Sequence, residues 1–157
     1  GHLARAGYWL HENKPEQAEA EYRHVLEMRP QRVEPYYEVA DFYADRQDAI
    51  QMEKAVEAAA RVKPADSQVP YYRGVVRVMA GNRLAEAEQL LMSYLASAPR
   101  ESNFSSYVSA YVWLGRLYER LGKRLEAGAR YRAALQLDPT RKSAREGLQR
   151  VEKKRQP

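Results

Sequence analysis

The residues that could do chemistry are few and widely separated. The chain has three His and no Cys, so thiolate zinc sites, iron–sulfur clusters, thiol nucleophiles and disulfides are excluded. His11 and His24 stand 13 positions apart, and neither has a second ligand at helical spacing. Glu16 with Glu19 and Glu86 with Glu88 are paired carboxylates. The former pair lies where a helix should start, where acids favour the positive end of the dipole, and both read as solvated helix faces. Asp41 and Asp45 lie one turn apart, but a single helix cannot complete the roughly six to eight oxygens that calcium prefers. No G-x-G-x-x-G, G-K-[ST] or G-x-S-x-G motif occurs. The expectation is therefore no enzyme, no catalytic residue, no cofactor and no metal. Arg116 and Arg120 stand out: four apart, they share one helix face and could grip a carboxylate or phosphate on a partner.

The elements that would carry such residues follow from composition and periodicity. Hydrophobic residues make up 45% and charged residues 30% of 157 positions, enough for one packed domain. The longest uncharged run, between Glu101 and Arg116, is broken by Asn and Ser, so no membrane span is expected. A soluble protein is expected, with a cytoplasmic location favoured over a periplasmic one. The net charge is +5. Residues 1–64 hold 9 Lys+Arg and 12 Asp+Glu, net −3, and residues 65–157 hold 17 and 9, net +8. Spread rather than clustered, the basic residues read first as a solvated surface. The one cluster, Lys153, Lys154 and Arg155, reads as a solvated end.

Four prolines close similar runs, Pro30, Pro64, Pro99 and Pro139, at spacings of 34, 35 and 40. Counting back from each gives aligned columns. One holds Ala6, Ala40, Val75 and Gly115; a second Trp9, Tyr43, Val78 and Tyr118. A third holds Ala18, Met52, Ala87 and Ala127; a fourth Tyr22, Val56, Leu91 and Tyr131; a fifth Val25, Ala59, Tyr94 and Ala134. Tyr36, Tyr71 and Tyr111 head the last three runs. Within a run these positions are three, four and seven apart, the apolar stripe of an amphipathic helix. Each run is thus two helices joined by a short break, His11-Glu12-Asn13-Lys14-Pro15, Asp45-Arg46-Gln47-Asp48, Gly81-Asn82 and Gly122-Lys123, with Gly and Asn suited to a left-handed helix end.

On these residues the chain resembles the tetratricopeptide repeat family. Segment 108–141 carries the resemblance best, with Tyr111, Leu114-Gly115, Tyr118, Ala127, Tyr131, Ala134 and Pro139. Repeats are read at about 3–32, 33–66, 68–101 and 108–141, one domain over 3–152. The third repeat is looser, with Gly74-Val75 and Tyr94 at unusual columns, and wider helix packing is expected there. Six extra residues before Tyr111 keep helical spacing from Phe104, so the fourth repeat's first helix should be lengthened, with Ser102 or Asn103 as cap. A capping helix is expected at about 141–154, with Ala144, Leu148 and Val151 inward. The first repeat is read as opening mid-helix after Gly1-His2, an expected expression remnant, so the segment reads as part of a longer protein.

The resemblance implies an all-α fold, a right-handed α-solenoid whose first helices line a concave groove for a peptide or protein element. The groove residues are then Glu34, Tyr37, Glu38, Asp41 and Asp45; Tyr72, Arg73, Val76 and Met79; and Trp113, Arg116 and Arg120, with Ser109 and Val112 beside them and Leu3, Gly7, Leu10 and His11 in the first repeat. Members that clamp the carboxylate of chaperone tails use Lys and Asn at places that here hold Tyr37 and Asp41, Tyr72 and Val76, and Val112 and Arg116, so that function is rejected. The implied role is a non-enzymatic interaction scaffold, its partner a protein or peptide of mixed charge. Nucleic-acid binding through the basic third and fourth repeats is the alternative, disfavoured because most Tyr fill core columns. Self-association through the first repeat is a further expectation.

Overall fold

The computed structural model describes residues 1–153, and among these every regular element is helical. The chain forms two compact units, residues 1–69 and 70 onward, each built from antiparallel helix pairs.

The first unit holds α1 (His2–His11), α2 (Pro15–Glu27), α3 (Glu34–Asp45) and α4 (Ala49–Val62). Pro15 opens α2 and Pro35 lies in the first turn of α3, where a missing N–H costs nothing and the fixed φ suits a helix. Asp48 caps α4 by accepting from the Gln51 N–H at 3.0 Å. Asn13 and Gln47 take left-handed φ of 56° in the two intra-pair breaks. The repeat columns form the core: Ala6, Ala18, Ala40, Val56 and Ala59 are wholly inaccessible. Small residues let the helix axes approach, and tyrosines fill the space beside them. Tyr22 of α2 meets Phe42 of α3 at 4.8 Å between ring centroids, and the Tyr43 hydroxyl donates to Glu19 at 3.3 Å.

The second unit holds α5 (Val69–Ala80, its first residue at the division), α6 (Leu84–Ser97), a 3-10 turn at Glu101–Asn103, α7 (Phe104–Arg120), α8 (Arg124–Leu137) and α9 (Lys142–Lys153). Gly81 and Gly122 take left-handed φ of 73° and 72° in its breaks, joined in the first by Arg83 at 51°. The lengthened first helix is present: α7 has 17 residues against 12 in α5, about 7.5 Å more. Asn103 occupies the cap position, but its side chain makes no cap bond. Its Nδ2 instead donates to the Pro99 carbonyl at 2.9 Å.

The third repeat departs from the expected wider packing. A Cβ placed on Gly74 would lie 2.8 Å from Leu91 Cγ, so α5 and α6 approach closely there. The volume given up at Gly74 accommodates Leu91. Tyr94 is fully buried and lies 5.4 Å from both Tyr71 and Tyr107. Tyr107 donates to the Ala98 carbonyl, fixing the extra segment against the end of α6.

The last apolar face is covered by α9. Ala144 and Val151 are buried as expected and Leu148 is half-buried. The closest contact is Gly147, a residue outside the expected apolar set. A Cβ there would lie 2.4 Å from Tyr131 Cζ, and one on Gly115 of α7 would lie 2.5 Å from Cε1 of the same ring. Tyr131 donates to Glu119, whose carboxylate pairs with Arg150 of α9 at 2.9 Å. Burial, and then this donation to a carboxylate, push the Tyr131 phenol well above its ordinary range. Lys154 and Arg155, read with the basic end, lie outside the described residues.

Candidate functional site

Helical spacing sets which groove residues share a face. On α7, Ser109, Trp113, Arg116 and Arg120 follow one another at four, three and four residues, a strip about 16 Å long. Its centre is Trp113, half-buried, with the Arg116 guanidinium carbon 4.4 Å from the ring centroid. This cation–π contact holds the guanidinium over the ring, and Arg116 makes no ion pair with a carboxylate among the described residues.

Arg120 is exposed, and its Nη2 donates to the Met79 carbonyl at 3.3 Å. Its Nη1 would lie 2.2 Å from a Cβ on Gly81. Arg120 thus rests on the end of α5, where last-turn carbonyls attract a cation. Arg116 and Arg120 therefore hold different partners, a ring and a carbonyl, and do not form one matched fork.

At the other end of the strip is a residue assigned in sequence to the capping helix. Arg141 lies just before α9, donates to Ser109 Oγ at 2.9 Å and pairs with Asp138 at 3.3 Å. The signal available in sequence was Asp138–Thr140–Arg141, a turn in which Asp138 accepts from Thr140 Oγ1 at 2.6 Å. That bond, with the Arg141 guanidinium, holds the Asp138 carboxyl below its usual range.

Of the other groove residues in this unit, Tyr72 and Val76 are buried and Met79 half-buried. Tyr72 packs edge-on to Tyr71 at 4.9 Å. Arg73 is half-buried and engaged with other groups, and its carbonyl accepts from Arg77 at 3.1 Å. Val112 is buried. In the first unit Glu38 and Asp41 are exposed on α3. Tyr37 is buried and donates to Asp66 at 2.7 Å, pinning the loop after α4. On α1, Tyr8 and Leu10 are exposed and Leu3 half-buried.

Among the described residues, no three His, Cys, Asp or Glu gather closely enough to hold a metal, and no helix is long and apolar enough to cross a membrane.

Antiparallel pairs with small residues at the crossings and a Tyr in each neighbouring gap define a helical repeat protein. The chain carries a tetratricopeptide repeat: the family model of that name matches residues 108–141, which supports assignment to the tetratricopeptide repeat family. A tetratricopeptide repeat protein from Parabacteroides merdae ATCC 43184, known from its crystal structure, is similar in fold. The TM-score is 0.55 at 16% identity, covering 96% of this chain and 70% of that one. No curated protein matches the sequence. Repeats of this family generally mediate protein–protein interaction, and the fold typically serves as a scaffold rather than an enzyme.

Proposed function

We propose that this chain is a non-enzymatic interaction module that binds a short acidic protein segment along the α7 face of its second unit. The observation that carries this reading is the Trp113–Arg116 stack, an amphipathic ring and a pre-oriented guanidinium with no carboxylate partner. Trp and Arg dominate binding hot spots, because one side chain offers both apolar area and directed hydrogen bonds. Arg141 and Arg120 lie at the two ends of the strip. A span of about 16 Å matches roughly five extended residues. The fitting segment has acidic residues near its ends and an apolar or aromatic residue between them. Glu38, exposed on α3, suits a basic residue, so a partner of mixed charge fits the first-helix faces taken singly.

The test is fluorescence anisotropy with a labelled Asp-Glu-Phe-Glu-Asp peptide and its Lys-Arg-Phe-Arg-Lys counterpart. The acidic probe should bind, and Arg116→Ala and Trp113→Ala should each weaken it by tenfold or more, about 1.4 kcal/mol. Equal binding of both peptides, or affinity unchanged in both variants, would refute the proposal. The competing nucleic-acid reading predicts that single-stranded RNA binds with affinity falling steeply in salt. The burial of Tyr22, Tyr36, Tyr43, Tyr71, Tyr94, Tyr118 and Tyr131 speaks against it, since stacking platforms must be exposed.

A further inference from the structure

The first unit contains a pocket of about 610 Å³ between the end of α2 and the outer side of α4. It shares no residue with the faces described above. Three of its lining residues are cations, Arg29, Lys54 and Arg61, and no carboxylate lines it. Between them are Leu26, Tyr36 and Val62, so the charges stand around an apolar wall. That wall is fixed: Tyr36 is buried and its hydroxyl donates to the Pro30 carbonyl at 3.0 Å.

The charge pattern is unexpected for its surroundings. Residues 1–64 carry more acids than bases, and most of their cations have partners. Arg5 pairs with Glu21, Arg23 and Arg46 with Glu19, Lys63 with Asp66, and Lys14 lies over Trp9. Arg29, Lys54 and Arg61 make no ion pair among the described residues. Arg29 also adopts a left-handed backbone, φ 48°, which costs a non-glycine residue about 1–2 kcal/mol. The ends of α4, α6 and α8 reach their next segments without such a residue.

We propose that this pocket binds a small organic anion: a phosphate or carboxylate group held by the three cations, carried on an apolar or aromatic body that packs on Tyr36, Leu26 and Val62. Its volume falls within the range of small-molecule sites, about 300–1,000 Å³. Arginine forks suit either oxyanion, and an ammonium adds a point charge. An apolar body distinguishes this from non-specific ion attraction, because the wall contributes through area removed from water.

The test uses 1-naphthyl phosphate, 1-naphthoate, inorganic phosphate and 1-naphthol as probes, by calorimetry and by chemical-shift mapping on the full chain. Either naphthyl anion should saturate with a Kd near or below about 1 mM, and the stronger of the two identifies the oxyanion. The shifts should fall on Leu26, Tyr36 and Val62. Inorganic phosphate and 1-naphthol should each bind at least about tenfold more weakly. The exposed triple variant Arg29→Gln/Lys54→Gln/Arg61→Gln should lose the binding while keeping its helical circular dichroism, and Lys63→Gln should keep it. No saturation by either naphthyl anion, equal binding of inorganic phosphate or naphthol, shifts elsewhere, or full affinity in the triple variant would each overturn the proposal.

Discussion

Substituting Gly147 by Ala isolates the packing claim, because propensity and packing then pull in opposite directions. Ala in a helix interior is favoured over Gly by about 1 kcal/mol. At Gly147 the added Cβ would lie 2.4 Å from Tyr131 Cζ, 2.5 Å from Cε1 and 2.7 Å from Cε2, distances real Cβ atoms do not reach. The ring is wholly buried, its hydroxyl is tied to Glu119, and Gly115 touches the same ring atoms. Retreat from one glycine therefore disturbs packing at the other. Overpacking of this kind costs about 1–3 kcal/mol, so Gly147→Ala should lower stability by up to about 2 kcal/mol net. For a chain of this size, that is a Tm decrease of up to roughly 8 °C. Gly128→Ala on α8 is the matched control. Its nearest neighbour would be Arg132 Nη1 at 3.4 Å, the far end of a flexible side chain, then Val151 at 3.6 Å. Propensity should win there, and stability should rise by up to about 1 kcal/mol. Urea unfolding of both variants measures the difference. Two changes of the same sign would refute the slot, as would a Gly147→Ala cost that stays the same when Tyr131 is replaced by Leu.

Three further outcomes follow from the same geometry. Ala127→Arg places a charge at a wholly buried crossing and should cost several kcal/mol, more than about 3, opening α8; an unchanged melting curve would show the repeat register is wrong. Asp48→Ala removes the α4 cap bond and should cost about 1 kcal/mol, read by urea unfolding. Asp138 titrates below its usual range because of Thr140 and Arg141. Its stabilisation is therefore present above the ordinary aspartate pKa of about 3.9 and lost as pH falls through the depressed folded value. Asp138→Asn should lower the urea midpoint at neutral pH, with the gap to the parent closing in acid; a gap constant across pH would sink that assignment.

The legible part of the sequence was its periodic part. Each small residue in the Ala6 and Ala18 columns proved buried, as did Tyr22, Leu91 and Tyr131 in the column beside them. The burial requirement repeats with the helix, so spacing alone exposes it. The lengthened α7 could be read for the same reason. Glycine broke the pattern twice. Gly74 suggested loose packing and Gly147 was passed over, because a residue without a side chain carries no hydrophobic signal. What each does depends on the Leu91 or Tyr131 that comes to rest on it. Asn103 sat at the cap position, but its choice of the Pro99 carbonyl over a helix N–H depended on where the 3-10 turn placed that carbonyl. Arg120 and Arg141 were legible as cations and illegible as contacts. A long side chain selects among acceptors within several ångströms, and only the fold says whether Met79 or Ser109 is there.

Net charge is a poor guide to which charged side chains remain unpaired, and the reason is physical. A charge that has found its opposite contributes little field to a partner and must be desolvated twice to be used. In the second unit Arg77 and Arg83 share Glu86, Arg150 takes Glu119 and Arg132 takes Glu152. Four of its arginines are thus engaged internally, and Arg116, on its tryptophan, is left without a carboxylate. In the first unit the acids outnumber the bases, yet Glu19 and Glu21 are committed to Arg23, Arg46, Arg5 and His2. The hydrogen bond from His2, then that from Arg5, holds Glu21 below its usual carboxylate range. The acidic unit therefore presents a basic pocket. What a partner meets on either unit is the residue of charge left after internal pairing, and that residue is set by helix register rather than by composition.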